Sequence, residues 1–313
     1  MSRIHEALKK AEQERAGLQG VPAQPNFMPP LVAGEGPALA EESPLASVPA
    51  AGVPVNAAVP SFASPFSFEA LSARSVRLPW KPDAKTMLFF NGDDMARGAE
   101  QFRTLRSRLY HTREKMTLKK ILVTSALPKE GKSFTAANLA QVMVRQHGRR
   151  VLLIDGDLRA PQLHTMMGTT CTPGLADYLR GENDEFSIMQ RGPVENLFFI
   201  PSGPQISNPA ELVANGRLKL LLQRVEPLFD WIVLDSPPAI PVSDASLLAK
   251  ACDGVLMVVR CNATPFDMAR RARQEFHDQV LVGVVLNGAD GEVSDYARYY
   301  YETYEKRETE PKT

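Results

Sequence analysis

The chain has 313 residues, 36 basic and 36 acidic side chains, and a formal net charge of zero. That length allows one large or two ordinary domains, and the charge balance removes any global argument for binding nucleic acid or an anionic membrane. The three cysteines, Cys171, Cys252 and Cys261, have no metal-ligand spacing and read as buried thiols in a reducing compartment.

Residues 3–16 carry Ile4, Ala7, Leu8 and Ala11 on one helical stripe. At this length the helix is marginal alone, so it is either a frayed terminus or a docking peptide. The N-terminus lacks the apolar core of a signal peptide, and no apolar run approaches the ~20 residues of a membrane span. The expected location is therefore cytoplasmic, unless a partner carries the chain to a membrane. Residues 17–80 hold 11 of the 25 prolines among Ala, Val and Ser, a composition that reads as a disordered linker. The folded part is expected from about Lys81.

From Lys119 onwards, apolar runs alternate with amphipathic stretches. KKILVTSA (119–126), VLLID (151–155), LFFIPSG (197–203), WIVLDS (231–236), GVLMVVR (254–260) and LVGVVLNG (281–288) are strand candidates. Helical patterns fall at Lys132–His147, Pro209–Leu228, Asp244–Ala251 and Phe266–Gln279. Near-continuous apolar strands separated by helices predict an α/β fold, a mostly parallel central sheet with helices on both faces. Ligands in such folds bind at the carboxyl ends of the strands.

Chemistry-bearing residues cluster at those ends. After the first strand, SALPKEGKS (125–133) has the GK[ST] ending of a P-loop, although Ala126 stands where the full pattern has its first glycine. Such a loop cradles phosphates with backbone N–H groups and a helix N-terminus. Lys132 would reach the β/γ-phosphates of ATP, and the Ser133 hydroxyl would bind Mg²⁺. Pro128, Lys129, Glu130, Gly131 and Phe134 complete the expected ATP-binding stretch. VLLIDGDLR ends a strand with Asp155 and Asp157, and WIVLDSPP ends another with Asp235. One acid after a strand is usually a turn or cap residue; three beside a P-loop predict a Mg²⁺–nucleotide site, with Asp157 and Asp235 orienting the ion. Asp155 is the candidate base for an acceptor hydroxyl, or else a second ligand of the ion shell. Arg159 would neutralise phosphate charge or pair with a structural acid. Asn287, at a strand end, would read the adenine edge or cap a turn.

The C-terminal stretch DYARYYYETYEKRETEPKT (295–313) holds five of the seven tyrosines: Tyr296, Tyr299, Tyr300, Tyr301 and Tyr304. They are interleaved with charge and cannot all be buried.

Residues from about 85 to 305 resemble the bacterial tyrosine kinases, P-loop autokinases of capsule and exopolysaccharide synthesis whose fold is of the MinD/ParA type. PKEGKS resembles their Walker A motif, LLIDGDLR their second acidic motif and IVLDSPP their Walker B motif. AEQFRTLRSRL (99–109) resembles their E-x-x-R-x-x-R helix through Glu100, Arg103 and Arg106. The resemblance implies autophosphorylation of the tyrosine tail in trans. It also implies a homo-oligomeric ring contacted through Glu100, Arg103 and Arg106, and a separate membrane-spanning activator of the polysaccharide co-polymerase type. A cognate tyrosine phosphatase is a further implied partner, and the expected position is peripheral, at the inner face of the membrane. Where the family often has glycine, this chain has Lys129. The expected division is a helix (1–16), a linker (17–80), a P-loop kinase domain (81–293) and a tyrosine tail (294–313).

Two other readings compete: a MinD/ParA-type ATPase switch and a nucleotide-binding scaffold without kinase activity. The switch proteins carry a signature lysine where this chain has Leu127, and intact Lys132, Ser133, Asp155, Asp157 and Asp235 speak against a degenerate scaffold. Arg270, Arg271 and Arg273 lack the aromatic platform of a nucleic-acid site.

Overall fold

The computed structural model describes residues 67–90 and 98–289. The helix expected over residues 1–16, most of the stretch expected as a linker and the tyrosine-rich tail lie outside the described residues. The described chain forms an eight-stranded sheet: β1 (Val76–Arg77), β2 (Lys120–Ser125), β3 (Val151–Asp155), β4 (Gln190–Arg191), β5 (Leu197–Ile200), β6 (Trp231–Asp235), β7 (Gly254–Arg260) and β8 (Leu281–Asn287). The order across the sheet is β1-β4-β5-β3-β6-β2-β7-β8. Every neighbouring pair is parallel except β4–β5.

The central strands read as continuous apolar runs because both their faces are covered. Along β3, Leu152 and Ile154 enter one core while Val151 and Leu153 enter the other. Successive strand side chains point to opposite faces, so a strand covered on both sides needs apolar residues at every position. Helices α2 (Ala99–Lys115) and α3 (Lys132–Val144) cover one face. The other carries α1 (Phe68–Arg74), α5 (Leu175–Arg180), α7 (Arg217–Val225), α8 (Asp244–Ala249) and α9 (Phe266–Gln274). The remaining helices are α4 (Leu163–Met167) and α6 (Pro209–Ala214). The expected layered α/β architecture is present.

Two differences from the sequence expectations have clear causes. The described residues are already packed fourteen residues before Lys81, from Ser67 onwards, inside the stretch read as linker. Ser67 caps α1 by accepting from the Ala70 amide at 3.1 Å, and Leu71 is fully buried. The Phe68 ring meets Phe198 edge-on at 5.5 Å, and β1 extends the sheet beside β4. The single helix expected over Pro209–Leu228 is two helices and a 3-10 turn, because Gly216 breaks it in the left-handed region at φ +83°.

Candidate nucleotide and phosphoryl-transfer site

The carboxyl ends of β2, β3 and β6 bring the three motifs together. β2 runs into the loop 126–131, which turns into α3 at Lys132. Gly131 has φ +97°, and a side chain there would collide with the Asn287 amide, so glycine is required. Lys129 adopts φ +64°, a left-handed conformation that glycine takes without cost. The glycine the family often has at this position therefore has a backbone reason.

Asp155 and Asp235 are register partners on adjacent strands, so their carboxylates are placed side by side. Gly156 lets the chain pass close to the Asp235 carbonyl, which accepts from the Gly156 amide at 3.0 Å. The Lys132 ammonium reaches Asp157 Oδ2 at 2.9 Å and donates to Ser133 Oγ at 3.4 Å. The other Asp157 oxygen accepts from the amides of Arg159 (3.3 Å) and Ala160 (3.0 Å). Asp155 accepts from the amides of Asp157 and Leu163, each at 3.2 Å. Neither oxygen of Asp235 has a partner at hydrogen-bonding geometry among the described residues, although the Lys132 charge and the nearby Ser133 hydroxyl both favour its ionised form.

Electrostatics follow from burial. Three acids, none more than 2% exposed, surround one lysine. Burial, and then the charges of Asp235 and Asp157, hold Asp155 well above the ordinary carboxylate range. Burial lifts Asp235 to about 6, against the opposing pull of Lys132. Burial also opposes the Lys132 charge, but Asp235, Asp157 and Asp155 outweigh it and raise the ammonium above its usual value. The cluster has more negative charge than its one cation cancels. Two orphaned carboxylate oxygens and an excess of buried acid are what a divalent cation would complete. No group of three acids among the described residues forms a ready-made metal cage. The orphaned Asp235 oxygens would suit Mg²⁺, which completes its shell with waters and phosphate oxygens.

Several expected site residues have other duties. Arg159 grips Asp244 with two hydrogen bonds, at 2.7 and 2.9 Å, the pairing with a structural acid that was one of its two expected roles. Asp244, the buried first residue of α8, was missed because an acid at a helix start reads as a cap. The Asn287 amide nitrogen donates to the Glu130 carbonyl at 2.9 Å, so it braces the phosphate loop instead of presenting that donor to a base. The Glu130 side chain is 3% exposed and turned inward, leaving only its backbone for phosphate. Phe134 packs its ring on Phe102 of α2 at 5.8 Å, and again only its amide serves the loop. Pro128 is exposed and has no N–H to donate. On α2, Glu100 and Arg103 pair at 3.0 Å, and Arg106 donates to the Val142 carbonyl of α3 at 2.8 Å. Arg106 therefore fastens two helices of one chain.

Fold and site together define a P-loop nucleotide-binding domain: a phosphate-binding loop between strand and helix, with a lysine held among strand-end acids. A family model described as an AAA domain matches residues 119–269. Tyrosine-protein kinase YwqD of Bacillus subtilis is 35% identical over 205 residues, covering 65% of this chain and 85% of YwqD. Tyrosine-protein kinase wzc of Salmonella typhimurium is 31% identical over 217 residues, covering 69% of this chain but 30% of wzc. Among solved structures, the kinase domain of Escherichia coli tyrosine kinase ETK superposes with a TM-score of 0.57 at 28% identity, covering 60% of this chain and 74% of that one. The chain belongs to the bacterial tyrosine-protein kinase family, and it is an enzyme of the protein-tyrosine kinase class. No described helix is long and apolar enough to cross a membrane.

Proposed function

We propose that this kinase transfers the γ-phosphoryl group of ATP to its own C-terminal tyrosines, Tyr296, Tyr299, Tyr300, Tyr301 and Tyr304, one copy acting on another. The observation that carries this reading is the buried Lys132–Asp157 pair flanked by Asp155 and Asp235 at the foot of the phosphate loop. Phosphoryl transfer needs positioning and charge neutralisation more than covalent help from the protein. Lys132 and the loop amides hold the β/γ-phosphates. Ser133, Asp157 and Asp235 would hold Mg²⁺, which when bound supplies neutralisation of phosphate charge. The bond between the γ-phosphorus and the bridging oxygen of ADP breaks, and a bond to the tyrosine oxygen forms. The phenolic proton, with a pKa of roughly 10, passes to a carboxylate. Asp155 suits that task because burial raises its affinity for a proton above that of an ordinary carboxylate.

The kinase would act within a ring of its own copies and with a separate membrane-spanning activator of the polysaccharide co-polymerase type. Through that activator it would sit at the inner face of the membrane and regulate capsule or exopolysaccharide export, with a tyrosine phosphatase reversing the modification. The family membership and the far greater length of wzc support this setting. Incubation of the full chain with ATP and Mg²⁺, followed by mass spectrometry, tests the reaction. Phosphotyrosine confined mainly to residues 296–304 and absent in Lys132→Met is expected. ATP hydrolysis without tail phosphate, with an activator peptide present, would contradict it.

A further inference from the structure

Contacts from the last two strands converge on the phosphate loop from behind. The Glu130 carboxylate accepts from the Leu127 amide at 2.7 Å through Oε2, closing the loop on itself. Its Oε1 accepts from the hydroxyl of Thr264, in the turn between β7 and α9. Its backbone carbonyl accepts from Asn287 at the end of β8. One residue earlier, the Lys129 carbonyl accepts from Arg260 at 3.1 Å. A carbonyl and the following N–H point in opposite directions across a trans peptide. Pinning the carbonyls of Lys129 and Glu130 towards β7 and β8 therefore turns the amides of Glu130 and Gly131 the other way, as a phosphate nest requires.

The contacts are not equal in weight. The Arg260 bond is exposed, where a side chain gains little over its bond to water. Glu130 is buried, so losing a partner leaves a desolvated charge and costs much more. We propose that Thr264 and Asn287 are positioning residues that clamp Glu130 and so hold the phosphate loop in its binding shape. This rests on the loop's binding of nucleotide phosphate. Thr264 belongs to none of the motifs that mark the site in sequence, and Asn287 gains a role distinct from contacting a base. Asn287 also lies against Gly131, so the clamp acts one residue from Lys132.

The test uses the full chain, a fluorescent ADP analogue and the pair Thr264→Val and Thr264→Ser. Valine keeps the shape and removes the hydroxyl; serine keeps the hydroxyl. A clamp predicts that Thr264→Val weakens ADP binding by about tenfold while Thr264→Ser stays within about twofold of the unsubstituted chain. It also predicts that adding Thr264→Val to Glu130→Ala weakens binding no further, because the contact is already gone. A lowered melting temperature in Thr264→Val with unchanged ADP affinity would overturn the proposal, as would failure of serine to restore affinity. If Glu130→Ala does not fold, the valine and serine pair decides alone. No ADP binding by the unsubstituted chain would defeat the nucleotide reading and the clamp together. Binding that ignores the loss of the Thr264 hydroxyl would defeat the clamp only.

Discussion

Asp235 ends β6 with both carboxylate oxygens buried and without a hydrogen-bond partner among the described residues, an arrangement that costs stability until something binds them. Its folded pKa of about 6 lies above the ordinary 3.8. For a carboxyl raised by folding, the stabilising contribution is fully present below the unfolded value and is lost as pH climbs through the folded one. The nucleotide-free protein should therefore lose stability between about pH 4 and pH 6, by on the order of 3 kcal/mol from this group, and then level off. Asp235→Asn should raise the melting temperature of the nucleotide-free protein at pH 7.5 and remove the slope due to this group. The same substitution should abolish the gain in ADP affinity that Mg²⁺ provides. In the unsubstituted protein that gain should grow as pH rises through about 6, because the cation and the proton compete for one carboxylate. Thermal melts and ADP titrations with and without Mg²⁺ across pH 5–8 check both; a variant that melts lower and still responds to Mg²⁺ would contradict the assignment. Residue chemistry was legible here because Lys132, Ser133 and the three acids fall in short motifs at strand ends. The duties of Arg159, Glu130 and Asn287 were not, since each depends on a partner at least 85 residues away or on a backbone carbonyl that no side-chain pattern marks.

At the scale of elements, β2, β3, β5, β6, β7 and β8 were legible as apolar runs, and α3, α8 and α9 as helical patterns between them. The described segments that escaped were short and stabilised from elsewhere. Helix α1 has seven residues, too few to form alone, and follows a proline-rich stretch that argues against structure. It exists because Leu71 and Phe68 complete the core around Phe198 and Phe229. β1 and β4 are two residues each, below any readable alternation. Leu71→Ala should therefore destabilise the domain by about 2–4 kcal/mol, as a buried cavity does. Urea unfolding would show the lower midpoint with little change in slope. A loss under about 0.5 kcal/mol, the scale of a surface substitution, would mean that α1 is only laid on the surface.

For the whole molecule, the question is whether a tail is served by its own site or by a neighbour's. β8 ends at Asn287, directly against the phosphate loop, and the tyrosines begin nine residues later in sequence. A mixture of two defective chains separates the routes. Lys132→Met keeps every tail tyrosine but loses the phosphate-binding ammonium. A second chain, with the five tail tyrosines replaced by phenylalanine, keeps the site but has no acceptor there. Neither should acquire tail phosphate alone. If one copy serves another, the mixture with ATP and Mg²⁺ should place phosphotyrosine on the Lys132→Met tail at a rate that rises with total protein concentration, as a bimolecular step must. If transfer occurs only within one chain, the mixture stays unlabelled while the unsubstituted protein labels at a rate independent of concentration. Several phosphates of close to two negative charges each would then repel within one tail and between neighbouring tails. Size measurement before and after labelling should show the assembly becoming smaller; an unchanged size would separate phosphorylation from assembly.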